Sequence, residues 1–189
     1  TGVAYGSVAW GDYDNDGDID LLLTGQNLNT GLVSKIYRND GNNVFTEQTN
    51  INLKPVYRSS VSLGDYNNDG LLDILLSGQV GTESFAKNFS AIYKNNGDGT
   101  FSEQTGIDLI DLCLSSVAWG DYNNDDYLDI LMTGASGTPP DYKPVTKIYR
   151  NNGNNTFSEI AGNSLIGTSM SSAEWGDYNN DGFLDVLLT

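Results

Sequence analysis

The sequence predicts an all-β protein of four-stranded antiparallel blades, arranged as a β-propeller of which the chain holds about three and a half blades. A nine-residue acidic loop recurs four times, beginning at residues 12, 65, 121 and 177. A second segment, with the pattern Ile-Tyr-Arg/Lys-Asn, recurs three times between the loops. Repeats of this length with several short apolar runs are typical of propeller blades, whereas solenoid repeats are shorter and carry one or two strands.

Each repeat is predicted to contain four strands, A to D, in chain order. In the first repeat, strand A covers residues 7–10 and strand B covers the apolar run at 19–24. Strand C covers 35–38 and strand D covers 44–48, with an Asn- and Gly-rich hairpin turn between them. A short apolar run bounded by turn residues indicates that strand B is buried on both faces.

The chain is predicted to be one partial propeller domain. Its repeats are expected at about residues 1–53, 54–109, 110–165 and 166–189, the last being half a blade. Known propellers have four blades or more, and exposed strand edges require a partner. The remaining blades are therefore expected from the same longer chain or from another copy of it.

The acidic loops have the ligand pattern of a calcium site. They read DYDNDGDID, DYNNDGLLD, DYNNDDYLD and DYNNDGFLD. Positions 1, 3, 5 and 9 offer side-chain oxygens and position 7 offers its backbone carbonyl, as a hard cation requires. The predicted metal ligands are Asp12, Asp14, Asp16, Asp18, Asp20, Asp65, Asn67, Asp69, Leu71, Asp73, Asp121, Asn123, Asp125, Tyr127, Asp129, Asp177, Asn179, Asp181, Phe183 and Asp185.

Two other interpretations of these loops are less favoured. Asp, Asn and Gly are common turn formers, but four copies in one ligand register exceed what turns alone require. Magnesium prefers octahedral sites that keep several waters. The loops are not EF-hands, because position 12 is an apolar residue within a strand. We expect up to four Ca²⁺, one in each A–B loop, with the weakest binding in the third loop, where Asp126 replaces Gly.

Composition narrows the function further. The net charge of −16 argues against nucleic acid as a partner, and 15 of the 25 acidic residues lie within the four loops. The chain has no histidine, which removes the commonest general base, and its single cysteine, Cys113, is predicted to be a buried apolar residue. No apolar run approaches the length of a membrane span, and no signal peptide is visible at the start.

In an up-and-down sheet, the A–B and C–D turns lie on one face of the disc and the B–C and D–A connections on the other. The second set varies between repeats, and variable loops on a rigid scaffold are the usual place for recognition. The B–C loops are predicted at 26–34, 79–90 and 135–146. The predicted partner-binding residues are Tyr57, Arg58, Phe85, Phe89 and Tyr142. Trp10, Trp119 and Trp175 are instead predicted to pack between blades.

The paired motifs WGDYNNDGxLDILLTG and IYRNNGxxxFxE resemble the FG-GAP/VCBS repeats of integrin-α-like propellers, over nearly the whole chain. The resemblance implies calcium in the A–B loops, an extracellular location, and a structural, adhesive or glycan-binding role. The literal Phe-Gly and Gly-Ala-Pro of the family name are absent, and the pattern looks more similar to bacterial secreted versions than to animal integrins. We therefore do not expect this chain to bind the partners of integrins.

Three functions remain open at this point. The leading one is a non-catalytic, calcium-stabilised module of a secreted or cell-surface protein that mediates adhesion, protein–protein recognition or assembly. The alternative is a lectin-like glycan binder, with a protein or glycan ligand on the B–C/D–A face. A polysaccharide-active enzyme is the least favoured, because Glu83, Asp141 and Lys143 show no paired acid–base arrangement. Nucleic acid and a membrane span are not expected.

Overall fold

The computed structural model describes residues 2–81, 85–162 and 164–189, and within them the chain forms fourteen β-strands. The strands are β1 (Ala4–Gly11), β2 (Asp20–Asn27), β3 (Gly31–Asn39), β4 (Phe45–Glu47), β5 (Tyr57–Gly64), β6 (Asp73–Val80), β7 (Lys87–Asn95), β8 (Phe101–Glu103), β9 (Cys113–Gly120), β10 (Asp129–Ser136), β11 (Lys143–Asn151), β12 (Phe157–Glu159), β13 (Ala173–Gly176) and β14 (Asp185–Leu188).

The strands form four separate antiparallel sheets, each of which pairs its strands in chain order. Blades 1, 2 and 3 are the four-stranded sheets β1–β4, β5–β8 and β9–β12, and blade 4 is the two-stranded sheet β13–β14. The predicted fold class is confirmed: the chain is all-β, with three complete blades and a partial one, and the ring is not closed.

The B–C connections are much shorter than predicted. In blade 1 the ladder between β2 and β3 continues to the pair Asn27↔Gly31, so that only three residues form the turn. In blades 2 and 3 the ladder continues to Val80↔Lys87 and Ser136↔Lys143. The predicted loop bounds were wrong because polar residues beyond the apolar run still pair through their backbones. Pairing continues until a tight turn ends it.

The core lies between adjacent blades, and the second strand of each complete blade supplies its centre. Ile74, Leu75 and Leu76 of β6 are fully buried, as are Ile130 and Leu131 of β10. This confirms the prediction that the apolar run is covered on both faces in blades 2 and 3.

In blade 1, Leu21 and Leu23 are only half-buried, and in blade 4 Leu187 is exposed, because each of these blades has a described neighbour on one side only. Burying a side chain of this size contributes about 2 kcal/mol to stability. Because the two faces of a strand contact two different neighbours, each blade depends on the next for its stability.

Tryptophan and glycine fit together where two blades meet. The ring of Trp119 in blade 3 lies against Gly64 of blade 2, where a Cβ atom would be 2.7 Å from the indole Cδ1. Trp119 also stacks on Tyr66 of blade 2, with 6.0 Å between ring centroids. The ring of Trp175 lies against Gly120 in the same way. Trp10 does not pack between blades as predicted: it is 58% exposed and packs edge-on against Phe45 of its own blade.

Candidate metal centres

Each acidic loop is held in shape by its first aspartate. In the first loop the carboxylate of Asp12 accepts the backbone N–H groups of Asp16, at 3.1 Å, and Gly17, at 2.9 Å. The carboxylate of Asp16 accepts the N–H of Asp18 at 2.9 Å. The other three loops repeat these bonds from Asp65, Asp121 and Asp177. Four copies of one sequence pattern thus give four copies of one backbone geometry.

Three carboxylates of the first loop converge. Asp12, Asp14 and Asp20 each place one oxygen within 4.8 Å of the oxygens of the other two. A hard cation such as calcium is bound by oxygen clusters of this kind. Asp16, the predicted ligand at position 5, is not among the three, and its Oδ1 accepts the N–H of Asp18.

Asparagine replaces aspartate at position 3 of the other loops. In the third loop Oδ1 of Asn123 is buried and has no hydrogen-bond partner within the described part of the chain. Buried polar atoms are nearly always paired, so this oxygen fits a cation as its partner. In the second loop, Oδ1 of Asn67 instead accepts the N–H of Asp69 at 3.0 Å. The donor set therefore fits a hard cation, although the position-3 amides of the two loops are oriented differently.

Three of the four position-9 aspartates are buried, and Asp185 of the fourth loop is half-buried. Asp73 and Asp129 are fully buried, and Asp20 is 2% exposed. Burial raises the pKa of Asp73 to about 7 and that of Asp129 to about 6, and it also raises the pKa of Asp20. A bound divalent cation would favour the charged form of these carboxylates, and it would therefore compete with protons for the same oxygens.

The same aspartates also tie the loop to the sheet. One oxygen of Asp129 accepts the N–H of Asn151, at the end of β11, at 2.8 Å. Its other oxygen accepts the N–H of Tyr122, within the loop, at 3.2 Å. Position 9 is therefore structural even without a metal, since it joins the loop to the edge of the third strand.

Adjacent acidic loops are bonded to one another through position 4, which sequence analysis missed. Nδ2 of Asn15 donates to the carbonyl of Gly70 at 2.9 Å, and Nδ2 of Asn68 donates to that of Asp126 at 2.8 Å. Nδ2 of Asn124 likewise donates to the carbonyl of Gly182, at 2.8 Å. The signal was present in the sequence, because Asn stands at position 4 in all four copies. The residue is not a ligand in the calcium pattern, so that pattern gives no reason for its repetition.

A second asparagine crosses between blades at the end of the third strand. Nδ2 of Asn95 donates to the carbonyl of Tyr13 in the preceding loop at 2.8 Å, and Asn151 makes the same bond to Tyr66. Both side chains are buried. The acidic loops, with these two sets of asparagines, form one continuous hydrogen-bonded belt across the four blades.

The sequence matches the FG-GAP-like repeat three times, over residues 12–76, 82–132 and 136–188. The chain belongs to the FG-GAP-like repeat family. Repeats of this family form propeller modules of adhesion or recognition, and they are generally non-enzymatic and typically extracellular. A search of the curated proteins found no match. In the described ranges, no helix has the length and apolarity needed to cross a bilayer.

The predicted partner-binding residues of this FG-GAP-like chain do not form one surface. Tyr57 is 3% exposed and Phe89 lies within β7, packed against the core between blades 1 and 2, so neither is a loop residue. Phe85 is 82% exposed. Arg58 and Tyr142 both contact the buried Gln79, which accepts from Arg58 Nη1 at 3.3 Å and donates to the Tyr142 hydroxyl at 2.6 Å.

Two of the three enzyme candidates of the FG-GAP-like chain lie within the described residues. Asp141 lies in the turn before β11 and Lys143 is the first residue of that strand, and neither forms an ion pair among the described residues. Glu83 lies outside the described residues. Cys113 is fully buried, as predicted.

Proposed function

We propose that the chain is a non-catalytic, calcium-stabilised propeller module of a secreted or cell-surface protein, which mediates adhesion, protein–protein recognition or assembly. The observation that carries the proposal is the convergence of Asp12, Asp14 and Asp20, whose oxygens lie within 4.8 Å of one another. The unpartnered buried oxygen of Asn123 supports the same role for the third loop. By the shared backbone geometry, each loop takes one Ca²⁺.

Calcium fits the donor set better than magnesium does. All donors are carboxylate, amide or backbone oxygens, and four or more come from one short loop. Calcium accepts six to eight such oxygens in flexible arrangements, whereas magnesium usually keeps several waters and takes one or two carboxylates. Flexible extracellular sites of this kind bind calcium with dissociation constants of roughly 10⁻⁴ to 10⁻³ M, which matches a secreted or surface protein.

The proposed role of the metal is structural. The chain carries a net charge of −16, and most of its acidic residues are crowded into the four loops. Without cations these carboxylates repel one another, and with cations the loops become the rigid belt that joins the blades. Because a site of this kind does not exist in the unfolded chain, calcium binding and folding are coupled.

Further blades are the first proposed partner, from the same longer chain or from another copy. Trp10 of blade 1 is 58% exposed, although Trp119 and Trp175 each lie against a glycine of the preceding blade. At the other end, a Cβ atom on Gly176 would meet nothing within 4 Å. Asn180 has the same backbone conformation as Asn124, with φ at 58° in both. An additional blade of this repeat type would fill both ends with the contacts seen inside the stack.

Protein or glycan recognition is assigned to the B–C/D–A face. The acidic loops repeat closely and are bonded to one another, which leaves little room for variation on their side. The glycan-binding alternative rests on Phe85, an 82% exposed aromatic ring in the B–C connection of blade 2. A ring exposed to this extent could stack on a sugar.

Thermal unfolding with and without calcium tests the proposal. The melting temperature is expected to rise with calcium in the millimolar range, to fall in EDTA, and to respond much less to magnesium. Asp20→Asn, which alters the buried ligand of the first loop, should weaken the calcium response, whereas Asp98→Asn, in the C–D hairpin, should not. A melting temperature that is the same in calcium and in EDTA would refute the central claim. Solution mass distinguishes a single chain from an assembled ring.

A further inference from the structure

The first strand of each complete blade contains a β-bulge at the same place. In blade 1 the pairing of β1 with β2 shifts between Ala4 and Ser7, and β5 shifts between Tyr57 and Ser60 in blade 2. The extra residue lies opposite a glycine of the second strand, such as Gly78, where a Cβ atom would be 2.9 Å from Cβ of Ser59. The glycine of the Leu-Leu-Ser/Thr-Gly motif is therefore required by the bulge. A bulge re-aims a side chain, and bulges are common beside functional sites.

The bulge residues have a backbone conformation that non-glycine residues rarely adopt. They are Tyr5, Arg58 and Leu114, with φ at 52°, 49° and 48°. Met170 stands at the equivalent position of the fourth repeat and has φ at 55°, although the described pairing of β13 with β14 shows no bulge. Left-handed residues of this kind cost about 1 kcal/mol each and persist where the surrounding structure imposes them. The blades are joined at this level, because the N–H of Met170 donates to the carbonyl of Leu114 at 2.9 Å.

The bulge residues Tyr5, Arg58 and Leu114 line one open cavity of about 230 Å³ together with Met170, beside the first strands of the blades. Tyr5 is 66% and Met170 80% exposed, so the cavity is open to solvent. The rest of the lining is small, namely Gly6 and the serines that follow the other three residues. These four positions hold one aromatic, one basic and two apolar aliphatic side chains, while the acidic loops stay nearly constant. Each blade thus contributes one individual side chain to a shared cavity, which is the pattern of a recognition site on a fixed scaffold.

The cavity is amphipathic and carries a single positive charge. Arg58 is the charged residue of the lining, and no acidic residue is among the residues that form it. The chain has 25 acidic and 9 basic residues, so a cavity lined by one basic residue and no acidic residue is unusual for it. The guanidinium of Arg58 lies over the ring of Tyr57, 5.4 Å from its centroid, and donates to Gln79. It takes part in none of the four ion pairs that the described residues form.

We infer that this axial cavity binds a carboxylate attached to an apolar body, with the guanidinium of Arg58 on the carboxylate and Leu114, Met170 and Tyr5 around the apolar part. Arginine matches a carboxylate because its planar group donates two parallel hydrogen bonds. A guanidinium has five N–H donors, and the bond to Gln79 uses one of them. The inference deepens the proposed recognition function and depends on it only for the location on the B–C/D–A side of the blades.

An acidic sugar fits the same cavity less well. A sugar ring presents several hydroxyl groups, each of which requires a hydrogen-bond partner when it is buried. The serine hydroxyls of the lining already have partners in neighbouring strands, since Ser59 bonds Thr24 at 2.9 Å and Ser115 bonds Ser77 at 2.6 Å. The remaining wall is apolar, which favours an aliphatic or aromatic body.

Titration of the calcium-loaded chain with N-acetyl-leucine, followed by NMR of the backbone amides, tests the inference. The ligand is expected to shift the amide signals of the bulge residues, and its neutral amide, N-acetyl-leucinamide, to bind at least tenfold more weakly. Arg58→Gln should reduce the affinity about tenfold or more, as expected for the loss of a charged hydrogen bond. Arg150→Gln, which removes the same charge from an exposed position on β11, is the matched control and should change the affinity less than twofold.

Further ligands identify the natural source of the carboxylate. A peptide that ends in leucine should bind more tightly than 4-methylpentanoate if the site takes a chain terminus, and equally if it takes a small acid. Four outcomes would overturn the inference: no binding at 10 mM, equal binding of the acid and its amide, unchanged affinity in Arg58→Gln, or tighter binding of glucuronate. Calcium-dependent melting of the same samples keeps the proposed function separate, because it does not involve this cavity.

Discussion

Nδ2 of Asn68 donates a hydrogen bond to the backbone carbonyl of Asp126, 2.8 Å away in the acidic loop of the next blade. Asn68 can reach this oxygen because its own backbone is left-handed, with φ at 57°. Asn is among the few residues that adopt this conformation readily. One residue type therefore satisfies both a local turn and a contact between blades.

Two substitutions at Asn68 separate these roles. Asn68→Gly keeps the left-handed turn but loses the hydrogen bond, so we expect the free energy of unfolding to fall by about 1 kcal/mol. Asn68→Ala should cost about 1 kcal/mol more, because alanine is strained at this φ. Urea unfolding in the presence of calcium measures the free energy of unfolding of both variants. Asn180→Gly is the control, since no following loop is present among the described residues, and it should have the smaller effect. Equal losses at both positions would contradict the role between blades.

The pH dependence of stability should reverse between the calcium-free and calcium-loaded states. Folding raises the pKa of Asp73 to about 7, by burial. A carboxyl group with a raised pKa binds its proton more tightly in the folded state. It therefore stabilises the calcium-free fold below its unfolded pKa of about 4 and loses that contribution as the pH rises through about 7.

Melting temperatures in EDTA should accordingly fall between pH 5 and pH 7.5, while those in saturating calcium should rise, because the deprotonated carboxylate is the metal ligand. Burial also raises the pKa of Asp129, to about 6, and that of Asp20. Both carboxyl groups therefore lower the stability of the calcium-free fold as the pH rises. The expectation fails if the protein in EDTA becomes more stable with increasing pH over this range.

Lys94 should weaken calcium binding in the second loop. Its Nζ lies 2.6 Å from Oδ2 of Asp69, the predicted ligand at position 5. Both side chains are about one third exposed, so the ion pair itself is weak, but it occupies an oxygen that the metal requires. Lys94→Gln is expected to increase the calcium affinity of this loop severalfold in calorimetry. Arg150→Gln, at the equivalent position of blade 3, has no such partner among the described residues and serves as the control.

Asp126 should make the third loop the weakest calcium site. Asp126 has φ at 68°, where the other three loops have glycine at φ between 83° and 95°. Asp126→Gly is expected to stabilise the protein by about 1 kcal/mol and to tighten binding in that loop, because glycine adopts this conformation without strain. The carbonyl that accepts from Asn68 is retained in the variant. If calorimetry finds equal affinities for all four loops before the substitution, the strain has no effect on the metal.

The repeated patterns predicted the blades and the acidic loops well, because both depend on local chemistry. The run of Ile74, Leu75 and Leu76 indicated a strand covered on both faces, and it is fully buried. The strand ends were not predictable in this way. Residues such as Gln26 pair through the backbone, and that pairing leaves no mark on the side-chain pattern.

The surface residues were predicted less well, because their positions depend on contacts between distant segments. Tyr57 and Arg58 are adjacent in sequence, but the bulge sends Tyr57 into the core and Arg58 to the axial cavity. The shift in register that separates them arises from the glycine opposite, Gly78, which belongs to another strand. The calcium sites themselves stay a prediction, which the melting experiments address.

The bulge has a consequence for how such a protein diversifies. Duplication of a repeat copies the whole packing arrangement and adds one new side chain to the axial cavity. Tyr5 and Met170 are mostly exposed, so a single substitution at either position alters the chemistry of the cavity without repacking a blade. Arg58 differs, because its guanidinium also contacts the buried Tyr57 and Gln79. The backbone sets one restriction on this variation. At φ near 50°, valine, isoleucine and threonine are strongly disfavoured, and related chains should rarely use them there.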